Sequence, residues 1–370
     1  MEHMEKALAH FEAILKEQFK RLETMNKPKK DFASMEKVTI GVCGGDGIGP
    51  IITDQAARIL AHLLKDEIAA GKIVIKNIEG LTIENRLEKN QAVPDDVLAQ
   101  IKTCDVLLKG PTTTPNGGSM ESANVTLRRE LDLYANVRPV VVPEENIDWI
   151  FYRENTEGEY VLGSRGIELP GMAVDFKVTT DAGTRRIARA AFDYARQNGK
   201  TRVTVVTKAN IMKKTDGKFS AICREVAADY PEIATDECYV DIMTANLINP
   251  DIRSDFQVVL LPNLYGDIVT DEAAQIQGGV GTAGSANIGN QYAMFEAVHG
   301  SAPALMEAGL GEYANPSSIL KAAAMLLRHI GRSQAAQKLE NALQICSAAP
   351  TGKADGPTAK EYTEKLLAML

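Results

Sequence analysis

The stretch FQVVLLPNLYGDIVTDEAAQI, residues 256–276, sets how the rest of the chain is read. It opens on an apolar, β-branched run closed by Pro262, which predicts a buried strand over 256–262. From 264 to 277 the apolar spacing changes to that of a helix. Asp267 and Asp271, four residues apart, therefore share one face at the start of that helix. Two carboxylates on one face, with few ligands beyond, suit Mg²⁺ or Mn²⁺ completed by water and substrate oxygens. Acids in a first helical turn are also ordinary complements to the helix dipole, so the pair alone leaves both readings open.

On either side of this stretch the same strand-then-helix alternation recurs. Strands are predicted at 37–43, 73–78, 104–109, 136–142, 148–154 and 202–208, and helices at 50–65, 122–131, 181–198 and 217–229. Alternation on this scale implies an α/β protein with sheets covered by helices. From 316 onward the chain reads as mainly helical, with Asn315-Pro316 as a start and Gly331 as a break. A length of 370 residues is compatible with roughly two domains.

Composition removes several function classes. At 45% hydrophobic and 24% charged residues the chain is average for a globular protein. No apolar run approaches the roughly 18–20 residues of a membrane span. The net charge of −8 and an aromatic content of 5%, with a single Trp149, argue against a nucleic-acid surface. The cysteines Cys43, Cys104, Cys223, Cys238 and Cys346 are dispersed and include no CxxC pair, which reads as reduced thiols in a cytoplasmic protein.

Residues 1–35 differ from the body. Met4, Leu8, Phe11, Leu15, Leu22 and Met25 recur at helical spacing, interrupted by Gln18, and predict an amphipathic helix over 3–25 that packs on the body or on a partner subunit. The acids Glu2, Glu5, Glu12, Glu17 and Glu23 argue against a mitochondrial transit peptide, and no continuous apolar segment marks a secretory signal. The stripe is long enough for a short coiled coil, which would raise the assembly above a dimer.

Three motif matches carry no function. Residues 279–284, GVGTAG, fit GxGxxG, but a helix is predicted before them and a Gly/Ala/Asn-rich loop after, the reverse of a dinucleotide-binding turn. Residues 44–50, GGDGIGP, follow a strand but have neither that spacing nor the Lys-Ser/Thr of a P-loop. Asn124-Val125-Thr126 is a formal glycosylation sequon without meaning in the cytoplasm.

Candidate chemistry lies elsewhere. Residues 119–139, SMESANVTLRRELDLYANVRP, present Ser122, Arg128, Arg129 and Arg138, and Arg153 follows on the next strand. Guanidinium forks bind carboxylates at two points, so several arginines together imply a substrate with more than one carboxylate; ion pairs with Glu130 or Asp132 are the plain alternative. Lys208 ends the apolar strand VTVVTK, where burial near a cation would lower its pKa and fit it for proton transfer; a surface lysine at a strand end is the equal alternative. Tyr160 closes RENTEGEY.

In order, GDGIGP, LRRELDLYANVRP, RENTEGEY, KANIMKKTDG, NLYGDIVTDEAAQIQGGVG, NIG, FEAVHGSAP and ANPSS resemble the β-decarboxylating dehydrogenases, the family of isocitrate and 3-isopropylmalate dehydrogenases, from about residue 37 to about 345. The resemblance implies an α/β fold unlike the Rossmann dehydrogenases: a large domain from 36–133 and 279–370, a smaller one from 134–278, and a homodimer with shared active sites. It implies substrate contacts from Arg128, Arg138 and Arg153, proton transfer by Tyr160 with Lys208 of a partner subunit, and a metal held by Asp267, Asp271 and a partner's Asp241. It places the nicotinamide cofactor against Thr114, Glu296, His299, Gly300, Ser301, Ala302 and Asn315.

Within that family, isopropylmalate enzymes are expected to carry paired leucines at the start of the 122–131 helix. Ser122 and Asn124 stand there instead, polar groups suited to a third carboxylate, which implies isocitrate over isopropylmalate, homoisocitrate or tartrate. Ala304 follows Ala302-Pro303, neither the acid expected of NAD enzymes nor the Lys-Tyr of bacterial NADP enzymes. Residues 352–362, GKADGPTAKEY, offer Lys353, Lys360 and Tyr362 but no clear Tyr…Arg pair. Without a cationic pocket a 2′-phosphate is poorly compensated for desolvation, which favours NAD over NADP. A non-catalytic regulatory subunit would be expected to lack Tyr160, Lys208 or a metal aspartate, and all are retained.

Overall fold

The computed structural model describes all residues except 1, 26, 116–119, 280–282 and 347, and not the side chains of 2, 24, 161, 163 and 164. The chain forms two compact units: a middle unit of Met1–Lys29 with Ile147–Thr270, and a flanking unit of Lys30–Asn146 with Asp271–Leu370.

In the flanking unit, strands β1 (Val38–Cys43), β2 (Ile73–Ile78), β3 (Val106–Lys109), β4 (Ala135–Val142), β11 (Gly284–Ile288) and β12 (Ala293–Ala297) lie in the order β2-β1-β3-β12-β11-β4. β2, β1, β3 and β12 are parallel, and β11 runs antiparallel to both β12 and β4. The predicted loop after 284 is thus a strand; its small residues GSANI let the helix Ser317–His329 lie close over it. That helix turns Ile319, Leu320, Ala323, Leu326 and Leu327 inward and lies between the Asn315-Pro316 start and the Gly331 break.

In the middle unit, β5 (Ile147–Glu154), β8 (Arg202–Thr207), β9 (Ala234–Tyr239) and β10 (Val258–Leu261) form an all-parallel sheet in the order β5-β10-β8-β9. The helices Asp181–Gln197 and Thr215–Ala227 pack on each other and on this sheet. Thr180 starts the first of them by accepting the Gly183 N–H at 3.0 Å, and Ile187, Ala188, Ala191, Phe192 and Ala195 form its buried face. A short hairpin, β6 (Ile167–Leu169) with β7 (Met172–Val174), completes the unit. The helix Asn263–Ile276 follows β10, as the opening stretch predicts. No helix among the described residues is long and apolar enough to cross a membrane.

The N-terminal helix, Glu2–Thr24, packs in the middle unit, and only the end of the apolar stripe turns inward with it. Met4, Leu8, Phe11 and Leu15 of the stripe are exposed, Leu22 is half-buried and Met25 buried, and Ile14 and Gln18 are buried beside them. The inward face is chosen by polar matches: His10 Nε2 lies 2.8 Å from the Arg165 carbonyl, and Arg21 bonds both Gln18 and Glu157. Gln18, which broke the stripe, lies on the buried side.

Candidate active site

Parallel strands deliver their following loops to one edge of a sheet, the usual place for ligands in such folds. In the middle unit that edge carries Arg153 and Glu154 at the end of β5, Lys208 after β8, Asp241 after β9, and the helix holding Asp267 after β10. Arg153 is fully buried. Its Nε and Nη2 donate to Asn263 Oδ1 at 3.0 and 2.7 Å, and its Nη1 donates to Asp267 Oδ1. Gly266 makes this geometry feasible, because a Cβ there would stand 2.5 Å from Arg153 Cγ. The Tyr160 hydroxyl donates to Asp267 Oδ2 at 2.5 Å, and the Arg153 guanidinium lies 5.0 Å from the Tyr160 ring centroid.

Lys208 departs from expectation. It is half-buried and donates to Asp241 Oδ1 at 2.6 Å, so its immediate neighbour is a carboxylate and not a cation. This bond holds the exposed Asp241 carboxyl below its ordinary pKa.

In the flanking unit, Ser122 precedes the helix Ala123–Glu130, and its side chain does not cap the helix. Asn124 Oδ1 accepts from Thr112 at 3.4 Å. Arg128 is buried, 3.4 Å from Glu296 Oε1, and its Nε has no hydrogen-bond partner among the described residues. Arg138, on β4, donates to Asp271 at 2.7 Å. Arg129, also considered above, pairs at the surface with Glu121 at 2.9 Å.

Glu296, expected at the cofactor, is a buried hub, also bonded by Asn287 at 2.8 Å and paired with fully buried Lys109 at 3.4 Å. Burial works to raise its pKa, but Lys109, Arg128 and Asn287 outweigh this and hold the carboxyl below its ordinary range.

The remaining cofactor candidates flank the GDGIGP turn. Asp46 accepts the Thr113 and Ile83 N–H groups, each at 2.7 Å, and Ile48 N donates to the Ser301 carbonyl at 3.1 Å. Gly47 is required in this turn: its φ is +57°, and a Cβ would meet the Ser301 oxygen at 2.1 Å. The turn therefore ties the loop leading to Thr114 to the loop of His299, Gly300, Ser301 and Ala302, helped by a 2.8 Å contact between the Thr113 and Ser301 hydroxyls. Ala302 adopts a left-handed φ of 49° and ψ of 58°, a strained state that clusters at ligand sites. His299 Nε2 is buried without a hydrogen-bond partner among the described residues, and Asn315 accepts the Ser317 N–H at 2.9 Å at the start of its helix. Of the decoy at 279–284, residues 280–282 lie outside the described ones.

Asp267 and Asp271 offer oxygen donors only, which fits a hard divalent cation. Among the described residues no three His, Cys, Asp or Glu side chains gather to hold a metal. Sequence reading missed Asn263, Asn287 and the buried Glu154 and Glu157, whose signal was their place inside the quoted motifs, and Lys109, which only ended the predicted strand 104–109.

The sequence profile of the isocitrate/isopropylmalate dehydrogenase family matches residues 39–355. The chain is 39% identical over 315 residues to the mitochondrial subunit 2 of the NAD isocitrate dehydrogenase of Schizosaccharomyces pombe, covering 82% of this chain and 79% of that protein. It is 40% identical over 322 residues to the NADP isocitrate dehydrogenase of Rickettsia prowazekii, covering 84% of this chain and 63% of the relative. The crystal structure of isocitrate dehydrogenase from Methylococcus capsulatus superposes with a TM-score of 0.78 at 35% identity, over 90% of this chain and 99% of that one. The chain belongs to the isocitrate/isopropylmalate dehydrogenase family and has its fold.

Proposed function

We propose that the chain oxidatively decarboxylates isocitrate to 2-oxoglutarate and CO₂, with Mg²⁺ or Mn²⁺ and with NAD preferred over NADP, as a cytoplasmic homodimer with shared sites. The observation that carries the substrate is the polar start of the helix Ala123–Glu130. Ser122 and Asn124 are half-buried there and Arg128 stands one turn on, a set that would leave polar groups unpaired against an isopropyl arm.

Arg128, Arg138 and Arg153 bind the substrate carboxylates. Arg138 and Arg153 are each neutralised by an aspartate, Asp271 and Asp267, that this reading assigns to the metal. With those acids engaged by a cation, the two arginines would direct their charge to the substrate carboxylates. A metal held by Asp267, Asp271 and a partner's Asp241 would supply Lewis acidity at the substrate's hydroxyl and carbonyl oxygens. The nicotinamide, against Thr114, Glu296, His299–Ala302 and Asn315, would accept the hydride. Tyr160 holds its phenolic proton on Asp267 at 2.5 Å and delivers it to the carbon that loses CO₂, and Lys208 of the partner subunit relays the proton.

For the cofactor, Tyr362 is buried in the core and so withdrawn from a 2′-phosphate, and Ala304 is exposed and uncharged. One observation favours NADP: Gly352 N donates to the Tyr313 carbonyl at 3.1 Å, which brings Lys353 beside the 304–313 loop. The test is initial rates with isocitrate and Mn²⁺, NAD against NADP, with 3-isopropylmalate as the competing substrate. A higher kcat/KM with NAD supports the reading. A preference for NADP that Lys353→Ala abolishes reverses the cofactor, and turnover of 3-isopropylmalate alone overturns the substrate.

A further inference from the structure

The N-terminal helix grips the segment that carries Tyr160 on both sides. Before Tyr160, Arg21 Nη2 donates to Glu157 Oε1 at 3.0 Å and to Thr156 Oγ1 at 3.4 Å. After it, buried Ile14 packs on Leu162, His10 meets the Arg165 carbonyl at 2.8 Å, and Glu17 pairs with Arg165. Phe11 stacks on Phe176 at 5.5 Å between ring centroids.

The turn held in this way is electrostatically costly. Glu154 and Glu157 are 2% and 3% exposed, three residues apart, and their charges repel. Glu154 accepts the Thr156 N–H at 2.9 Å, the Thr156 hydroxyl at 2.8 Å and the Glu157 N–H at 2.6 Å, while Glu157 accepts the Thr180 N–H at 2.9 Å. Two cations face the pair: Arg21 from the N-terminal helix and Arg186, which bonds Thr156 Oγ1 at 3.0 Å. Burial and Glu157 push the Glu154 carboxyl up to about 7, and Arg21 opposes the rise.

The turn is bonded onward to the site. The Glu157 carbonyl accepts from Asn263 Nδ2 at 2.9 Å, Asn263 holds Arg153, and Arg153 and Tyr160 both bond Asp267.

We infer that Arg21 is a positioning residue for Tyr160 and Arg153, and that the N-terminal helix, which lies outside the 39–355 family segment, is a brace of the active site. The inference rests on the proposed role of Tyr160, so its test has a readout independent of turnover. Full-length Arg21→Met and Arg21→Lys are compared with wild type by amide hydrogen exchange, by kcat and KM for isocitrate, and by light-scattering mass. Lys16→Met, which removes a charge from the exposed side of the same helix, is the control.

Loss of a charge-assisted bond to a buried carboxylate predicts that Arg21→Met speeds exchange over residues 156–165 by about tenfold and lowers kcat by about tenfold. KM for the nicotinamide cofactor and the mass stay unchanged, Arg21→Lys recovers most of both losses, and Lys16→Met behaves as wild type. Unchanged exchange at 156–165 in Arg21→Met overturns the brace. So does a kcat loss that merely tracks a fall in mass, or one that Arg21→Lys does not relieve. If wild type fails to turn over isocitrate, the proposed function falls, and the exchange data still decide the brace.

Discussion

Replacing Asn263 by Ala tests whether the substrate-binding arginine is held by design or by chance. The Asn263 carboxamide is buried; it accepts two N–H bonds from Arg153 and donates one to the Glu157 carbonyl. Asn263→Ala removes the acceptor of two bonds from a fully buried guanidinium and the donor to one buried carbonyl. A lost hydrogen bond to a charged group is worth about 1.5–3 kcal/mol, and an orphaned carbonyl adds about 1. The two Arg153 donors share one acceptor and count as little more than one bond. The vacated space admits about one water, which restores part of the loss. The net cost is about 2–4 kcal/mol, out of the roughly 5–15 kcal/mol that stabilises a folded domain. At about 2–4 °C per kcal/mol for a unit of this size, the thermal midpoint falls by roughly 5–15 °C. The Arg153 fork also loses its orientation, so KM for isocitrate rises by about tenfold or more while KM for the nicotinamide cofactor stays put. Asn263→Asp keeps the acceptor and suits the first residue of a helix, so it should lie between Ala and wild type. Scanning calorimetry with initial-rate kinetics reads both effects. A midpoint within about 2 °C of wild type together with an unchanged KM, or an Asp variant worse than Ala, would refute the reasoning.

Gly266→Ala should destabilise, although a helical Gly→Ala change ordinarily gains about 1 kcal/mol, because the new Cβ lies 2.5 Å from the immobile Arg153 Cγ; thermal melts and KM for isocitrate check it. Glu154 has a folded pKa raised from 4.5 to about 7, so the folded chain holds a proton that the unfolded chain releases, and its contribution is full below pH 4.5 and lost as pH rises to about 7. Urea midpoints measured from pH 5 to 8 should fall through that window, and Glu154→Gln should flatten the fall. Asp271→Asn should raise the Mn²⁺ concentration for half-maximal activity by about tenfold, and a chelator should abolish turnover reversibly; activity that survives exhaustive chelation contradicts the metal assignment. Asn124→Leu should lower kcat/KM for isocitrate by about tenfold or more, through the carboxylate left facing an apolar group, as substrate titrations would show.

Local sequence determined most of the framework. The strands and helices that were predicted end within two or three residues of their expected bounds because period-2 and period-3.6 burial are local properties of the chain, whereas β9, β11 and β12 carried no such pattern and were not read as strands. The i, i+4 aspartates of the helix Asn263–Ile276 and the motif arginines could be named from spacing and motif resemblance for the same reason. Partners that meet across a hundred or more residues leave no periodic trace: Arg21 with Glu157, Arg153 with Asn263 and Asp267, and Lys109 with Glu296. Lys208 read as a lysine beside a cation until the structure set Asp241 against it. The N-terminal helix was legible as a helix, but its inward face was not. An apolar stripe states only that one side is greasy; which side meets the body depends on partners far along the chain, Leu162 for Ile14 and Glu157 for Arg21. Those partners are in place only once β5 and the turn after it have folded, so tertiary structure sets the inward face.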